Sequence, residues 1–534
     1  MSLLIELLRE GPLAWSTSAA LEQAQCDRPR LVFAGSALDH WSSAWAAALN
    51  ADHVLAAALG EIFSCVAIDV AAEPKLAARI QHALQLTTGA SGWPVMAVCT
   101  PTGEVFGALS WRPLHEVTRI LLEAAEAWHR RPDDCAADAA RIAAAWHAVH
   151  QPSSGRPLHV THAELLLDAA EAAAMAIADP LAGGFGPAPR TAEPALWGFL
   201  VQRAGRDQAP LALVQQVERS LAALCAGAAH DHVAGGFFAG CSDAAWSAPQ
   251  CAKGLADQAL IADLLLTASD RLGNPLWRTV ALRAMQFTCN ALRGDDGQFA
   301  HGLHADSPAA PGRWEEGACY RWTIRDVAEV IGESGAALIG RRFALPAEED
   351  AAGFLAVGEA LTAAEQRRLP ELVNRLAMAR AERPQPRRDE VRYPVEQAQL
   401  AVVIERVAVS DPSFVDIADG LLPALMAHPS AWAGRALVAR WRRTGQPQPW
   451  ALTCAEAGAG SGAHAEERTD DFDPRGGLST SAVLAQLYCD LADMTGDQQW
   501  LTRADQLVSV ARDRLRSAPL ACAGLLSVLD RRAR

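Results

Sequence analysis

Apolar and polar positions follow two different rhythms along this chain. Up to about residue 115, short apolar runs bounded by polar or turn residues alternate with amphipathic stretches. Leu31–Phe33 and Cys65–Ile68 predict buried strands, with an Ala/Leu-rich helix over Ser42–Gly60 between them. A second helix is predicted over Lys75–Leu86, then strands over Val95–Cys99 and Val105–Leu109, joined by the turn Pro101-Thr102-Gly103. A parallel βαβ unit closed by a hairpin makes an α/β domain, placed at residues 1–130. Pro94, at the start of a strand, removes no ladder donor there and is a candidate cis proline.

Beyond residue 155 the helical period takes over. It recurs at 161–178, 208–227, 252–272, 275–292, 361–380, 413–427, 430–443, 479–495 and 498–515. Loops rich in Gly, Pro and Asp separate these segments, several carrying Gly-Gly-Phe or Asp-Gly-x-Phe. Repeated helical hairpins predict a solenoid or a ring. Long aromatic loops favour a ring whose loops line one mouth. Residues 131–158 are expected to be a linker and 159–534 the helical domain. The pattern leaves open whether the ring closes.

Composition narrows the partners. Asp and Glu number 62 against 47 Lys and Arg, a formal net charge of −15. With no concentrated basic surface, nucleic acid is not an expected partner. No stretch is long and apolar enough for a membrane span, and the N-terminus lacks the layout of a signal peptide, so a cytoplasmic location is expected. The 12 cysteines are scattered without a Cys-x-x-Cys pair, which suits buried thiols in a reducing setting. The pairs His147/His150, His159/His162 and His301/His304 are spaced for one helix face but lack an evident third ligand, so no metal and no other cofactor is expected.

Several motifs, taken in order, resemble the thioredoxin-domain proteins of the spermatogenesis-associated protein 20 family. Ser91-Gly92-Trp93-Pro94 is similar to that family's Gly-Gly-Trp-Pro, and Gly183-Gly184-Phe185-Gly186-Pro187-Ala188-Pro189-Arg190 to its Gly-Gly-Phe-Gly-x-Ala-Pro-Lys. Asp231 to Phe238, with Ser242, Asp243, Trp246, Pro249, Lys253 and Asp257, resembles its longest motif. Phe299 to Ser307, with Glu316, Gly317, Tyr320, Trp322 and Thr323, resembles a third, and Ala518 to Asp530 its ending. The resemblance implies a thioredoxin-like α/β domain followed by an (α/α)6 toroid of the six-hairpin glycosidase and N-acylglucosamine 2-epimerase type.

Where that family carries Cys-His-Trp-Cys-His, this chain has Asp39-His40-Trp41-Ser42-Ser43. Thiol–disulfide exchange needs an attacking thiolate and a resolving sulfur. Asp39 and Ser42 supply neither, so the motif reads as a degenerate redox site with Asp39 as a helix cap, and Trp41 and Trp93 as local core. At the toroid mouth, candidates for proton transfer are Asp231, Asp243, His301, His304, Asp306 and Glu316. Candidates for ligand binding are His232, Trp246, Lys253, Asp257, Tyr320 and Trp322. Carboxylates beside aromatic rings suit a sugar-like or other small polar ligand, and paired carboxylates or acid–base groups suit hydrolysis or epimerisation. Relative to the family, proton-transfer residue types are lost: Phe237-Phe238 precedes Ala239-Gly240-Cys241, and Pro249-Gln250-Cys251-Ala252-Lys253 replaces a His- and Glu-containing run. A family Trp-Asn pair is replaced near Glu396-Gln397. The leading expectation is therefore a redox-inactive domain on a ligand-binding toroid, a pseudoenzyme or scaffold. The alternative is a sugar epimerase, isomerase or hydrolase. No particular protein partner is indicated.

Overall fold

The computed structural model describes residues 1–22, 26–150, 163–348, 350–460 and 478–533. The chain divides into two compact units near residues 152 and 153. The pair His159/His162 and the end of the expected linker lie outside the described residues.

The first unit runs α1 (Leu3–Arg9), β1 (Arg30–Gly35), α2 (His40–Ala51), α3 (His53–Ile62), β2 (Ser64–Asp69), α4 (Pro74–Thr88), β3 (Val95–Cys99), β4 (Val105–Ser110), α5 (Leu114–Arg130) and α6 (Pro132–His150). Its sheet has the order β2-β1-β3-β4, with β1 parallel to β2 and the other pairs antiparallel. The strand period of two sorts the side chains. Leu31, Phe33, Met96 and Val98 pack on one face with Trp45, Leu49 and Val117; Val32, Ala34, Val95 and Ala97 pack on the other with Ile80 and Leu84. Both faces are thus covered, as a thioredoxin-like α/β domain requires. The helix expected over 42–60 is two helices, because Asp52 accepts from Leu55 N (2.9 Å) and starts a new N-terminus. The expected linker 131–158 needs correction: Pro132–His150 is helix and packs against α4 and β4.

The second unit contains α7 (Ala163–Ala176), α8 (Pro194–Ala204), α9 (Leu211–Ala226), the strand pieces β5 (Gly240–Cys241), β6 (Pro249–Gln250) and β7 (Lys253–Gly254), α10 (Leu255–Leu272) and α11 (Pro275–Ala291). There follow β8 (Gly302–Leu303), β9 (Asp306–Ala310), β10 (Arg313–Glu316), α12 (Ile324–Ile331), α13 (Glu333–Arg342), α14 (Ala363–Ala381) and β11 (Arg388–Asp389). The remainder is α15 (Pro394–Val407), α16 (Val415–Ala427), α17 (Ala431–Thr444), α18 (Trp450–Gly460), α19 (Thr480–Thr495), α20 (Gln499–Val510), α21 (Arg512–Ser517) and α22 (Ala523–Ala533).

Six helices close a ring by successive packing: α8 on α10, α10 on α15, α15 on α17, α17 on α19, α19 on α22, and α22 back on α8. Each also packs against an outer helix: α9, α11, α16, α18, α20 and α7 in turn. This is an (α/α)6 toroid, and it closes. The sequence pattern did not pick out the inner helices α8, α15 and α22. Every residue from Glu396 to Glu405 in α15 is buried, as is Ala523–Asp530 in α22. A helix enclosed on all sides has no polar face and so no amphipathic period.

Inner helices alternate with outer ones, so they all run in the same direction. Connections into the starts of α8, α10 and α15 span 177–193, 227–254 and 292–393, whereas those leaving their ends span 205–210, 273–274 and 408–414. The mouth is therefore at the inner-helix N-termini. At the opposite end, cations near helix C-termini meet acids, a favourable placement. Arg203 pairs with Glu164, Asp168 and Glu171 (3.0, 2.5 and 2.9 Å), and Arg440 and Arg443 with buried Glu405 (3.1 and 2.6 Å). Among the described residues, no helix is long and apolar enough to cross a membrane.

Candidate functional site

In the first unit, Asp39 stands at the N-cap of α2. Its Oδ2 accepts from Ser42 N (2.7 Å) and Ser42 Oγ (2.8 Å). The positions where the resembled family has sulfur are thus a helix cap. Trp93–Pro94 is a cis peptide. Trp41, expected in the core, is instead 39% exposed, its ring 4.3 Å from that of Trp111. All 12 thiols are free, and burial pushes Cys65 and Cys99 up to about 12, far from a reactive thiolate.

In the second unit, the Asp-containing loops share one construction. Antiparallel bridges join Ala178 to Phe185, His230 to Phe237 and Arg293 to Phe299. Within each loop a carboxylate accepts backbone N–H: Asp179 from Leu181 and Ala182 (2.9 Å each) and Asp231 from Val233 and Ala234 (3.0 and 3.3 Å), both at the loop head, and Asp296 from Gln298 (3.2 Å). Each carboxylate then meets an arginine from later in the chain: Arg190, Arg380 and Arg392. Gly235 and Gly236 have φ of 83° and 78°, and a Cβ on Gly236 would lie 2.4 Å from Phe287, so the turn needs glycine. Two inner helices clasp the strand ends. Gln258 accepts from Phe237 N and donates to Phe237 O (2.7 Å each), and Gln397 does the same to Phe299 (2.9 and 2.7 Å).

Asp231 sits at the centre of the mouth cluster. Arg380 donates Nη1 to Oδ1 and Nη2 to Oδ2 (2.8 Å each), and Lys253 Nζ donates to Oδ2 (2.6 Å) and to Gly235 O (3.1 Å). Burial by itself would raise the Asp231 carboxyl, but Arg380 and Lys253 hold it well below the usual carboxylate range. Lys253 is wholly buried, its ammonium 4.1 Å from the centre of the Phe287 ring and 5.1 Å from that of Tyr320.

The other candidates are mostly occupied in holding the mouth together. Asp243 accepts from Ser247 N (2.9 Å) and Ala248 N (3.1 Å), forming a turn rather than capping a helix. Glu316 accepts from Cys251 N (3.0 Å) and faces Asp306 across the β9–β10 pair. His304 Nδ1 accepts from Asp306 N (2.9 Å). His301 and His304 flank the strand β8, so they do not share a helix face as their spacing suggested. Among the described residues no cluster of three or more His, Cys, Asp or Glu suits a metal. Trp246 and Trp322, expected as ligand-binding residues, are 1% exposed: Trp246 packs in the core of the ring, and Trp322 in a separate core with Val327, Ile331 and Leu338. Asp257 is in the first turn of α10. Sequence reasoning missed Arg380, far from Asp231 in the chain, and His230, Gln258 and Gln397. The repeated Asp-led loops at 179 and 231 were the available signal for Asp231's structural part.

Beside the cluster is a recess lined by Ala228, His230, Asp231, His232, Phe238, Tyr320 and Arg380, with Phe354 and Leu355 adjoining. Two of its polar atoms, the Tyr320 hydroxyl and His230 Nε2, are buried without a hydrogen-bond partner among the described residues. His230 Nδ1 lies 3.1 Å from Cys225 O, and His232 Nε2 3.1 Å from both Ala226 O and Gly227 O. A carbonyl only accepts, so those nitrogens carry the protons. Burial holds both imidazoles down, His232 to about 4, so both are neutral.

The chain therefore joins a thioredoxin-like α/β domain to an (α/α)6 toroid. Residues 6–147 match the Thioredox_DsbH family, described as "Protein of unknown function, DUF255". The chain is a distant homologue of spermatogenesis-associated protein 20: it is 25% identical to the Homo sapiens protein over 335 residues, covering 60% of this chain and 42% of that one. The Mus musculus protein is 24% identical with the same coverage. The chain thus spans less than half the length of these relatives. Among solved structures it is similar to cellobiose 2-epimerase from Spirochaeta thermophila DSM 6192 (12% identity, 66% of this chain and 86% of that one, TM-score 0.38). It is also similar to an unsaturated glucuronyl hydrolase specific for heparin (12%, 70% and 95%, TM-score 0.27).

Proposed function

We propose that this protein binds a small, polar, carbohydrate-like ligand at the toroid mouth without turning it over, as a pseudoenzyme carrying a redox-inactive thioredoxin-like domain. One observation carries the reading: the mouth carboxylate Asp231 is locked by two cations, while the recess beside it keeps two buried polar atoms without partners among the described residues. A carboxylate held far below its usual range is a poor proton carrier. Buried unpartnered polar atoms are costly, and a ligand that pairs them recovers that cost. Asp39 and Ser42 offer no sulfur for disulfide exchange at the motif, which supports the redox-inactive reading, and the free thiols suit a reducing, cytoplasmic setting.

The test is a thermal-shift screen against monosaccharides and oligosaccharides, with turnover assays on every hit. Binding without turnover is expected; epimerisation or hydrolysis of a hit would overturn the pseudoenzyme reading. A sugar-metabolising enzyme has one specific observation in its favour. His301 Nδ1 lies 2.9 Å from Glu396 Oε2, both buried, the arrangement that orients an imidazole for proton transfer. If that reading holds, a turnover will be found and Glu396→Gln will abolish it while leaving the fold intact.

A further inference from the structure

We propose that the recess formed by His230, Tyr320 and Arg380 is a subsite for an α-hydroxy-carboxylate, the acidic end of a sugar acid or a small hydroxy acid. This rests on reading the toroid as a ligand-binding device and names the chemistry its ligand must present.

Charge is the first argument. The buried cluster holds two cations, Lys253 and Arg380, around one carboxylate, Asp231. Arg283 adds a further positive charge nearby, donating to His232 O at 3.4 Å. In a chain of net charge −15, the ion pairs of this mouth cluster set two cations against one carboxylate. Buried charge is expensive unless paired, so an anion is the occupant that balances the cluster.

Hydrogen-bonding capacity is the second argument, and it sharpens the choice of anion. The Tyr320 hydroxyl is buried with no partner among the described residues, and the residue is 6% exposed. Arg380 is equally buried, and its guanidinium has N–H groups beyond those spent on Asp231. Both can donate to a carboxylate, and a charged acceptor strengthens such bonds. His230 makes the opposite demand. Its Nδ1–H is committed to Cys225 O, so Nε2 presents a lone pair and needs a donor. A plain carboxylate has no donor to offer, and a neutral diol has no charge. An α-hydroxy-carboxylate has both, its carboxylate for Tyr320 and Arg380 and its hydroxyl for His230.

The recess is narrow: its enclosed part is about 10 Å³, so any polyol tail of the ligand lies outside it. Phe238 stands edge-on to Tyr320 at 4.9 Å and closes one wall with apolar surface.

The experiment measures binding by calorimetry and thermal shift on the full chain, with glycolate, acetate and ethylene glycol at constant ionic strength. Glycolate is expected to saturate and to bind about tenfold more tightly than acetate, the factor for one buried acceptor left unpaired. Ethylene glycol is expected to be silent. Tyr320→Phe keeps the ring and removes only the hydroxyl, and glycolate affinity should fall by about tenfold or more. Equal binding of glycolate and acetate would overturn the assigned part of His230. Unchanged glycolate binding by a folded Tyr320→Phe variant, or no saturable binding of any carboxylate, would overturn the subsite. If neutral sugars bind while glycolate does not, this inference falls and the broader ligand-binding reading stands.

Discussion

Asp231 and Arg380 meet across 149 residues of chain, each carboxylate oxygen of the one 2.8 Å from a guanidinium nitrogen of the other. Arg380 comes from near the end of α14, so this contact ties the long excursion between α11 and α15 to the mouth of the ring. The same carboxylate also holds its own Gly-Gly-Phe loop, so a single side chain joins local turn geometry to tertiary closure.

Breaking that contact should be costly. Asp231→Asn removes the charge and leaves Lys253 and Arg380 facing each other in a buried site. Removing one member of a buried ion pair typically costs about 3–5 kcal/mol. Denaturant unfolding of the second unit should show a loss of that order. A change below about 1 kcal/mol would mean that the cluster does not anchor the fold.

Acid should weaken the fold through the two neutral histidines. In the folded chain burial lowers His230 and His232, the latter from 6.5 to about 4, whereas the unfolded chain binds protons at the ordinary value. The unfolded state therefore holds more protons below pH 6.5, and stability rises with pH between about 4 and 6.5. His232 contributes about 1.4 kcal/mol per pH unit across that window, and His230 acts in the same direction. Unfolding measured over pH 4–7 should lose part of this slope in His232→Gln. An identical slope in wild type and variant would contradict the burial of a neutral imidazole.

The glutamine clasps should matter even though they carry no charge. Gln397→Ala leaves the Phe299 N–H and C=O buried without partners, and the predicted loss is about 2 kcal/mol or more. Gln258→Ala should cost a similar amount through Phe237. Chemical denaturation of each variant checks this, and neutral substitutions would show that water replaces the amide at no cost.

Thiol chemistry should be nearly silent in the native protein. Only Cys26 and Cys289 are more than marginally accessible, and burial pushes Cys289 up to about 11. Titration with an aromatic disulfide reagent should find one fast thiol, Cys26, and all 12 only after denaturation. Disulfide reductase assays should give no turnover, and Asp39→Ala should cost about 1 kcal/mol as a lost helix cap, without changing that result. Reductase turnover in the native protein would overturn the assignment of the first unit.

The sequence by itself determined the thioredoxin-like unit to within a few residues of each strand, because strands sandwiched by helices read as short apolar runs with turn residues between them. It also determined the absence of redox sulfur, since Asp39 and Ser42 are visible as letters. Of the toroid, α7, α9, α10, α11, α16, α17, α19 and α20 were legible as recurring helical segments, whereas α8, α15, α18 and α22 were not. Only the tertiary structure decided the rest. The inner helices α8, α15 and α22 are buried on every side and carry no period to read. Asp231 looked like a mouth carboxylate available for chemistry until Arg380 and Lys253 arrived from distant segments to hold it. Trp246 and Trp322 looked like ligand-binding residues until packing enclosed them, Trp246 in the ring and Trp322 against α12 and α13. Which polar atoms are spent and which are left for a ligand depends on neighbours that chain order does not reveal, because hydrogen-bond pairing at a ring's mouth is settled by closure of the ring.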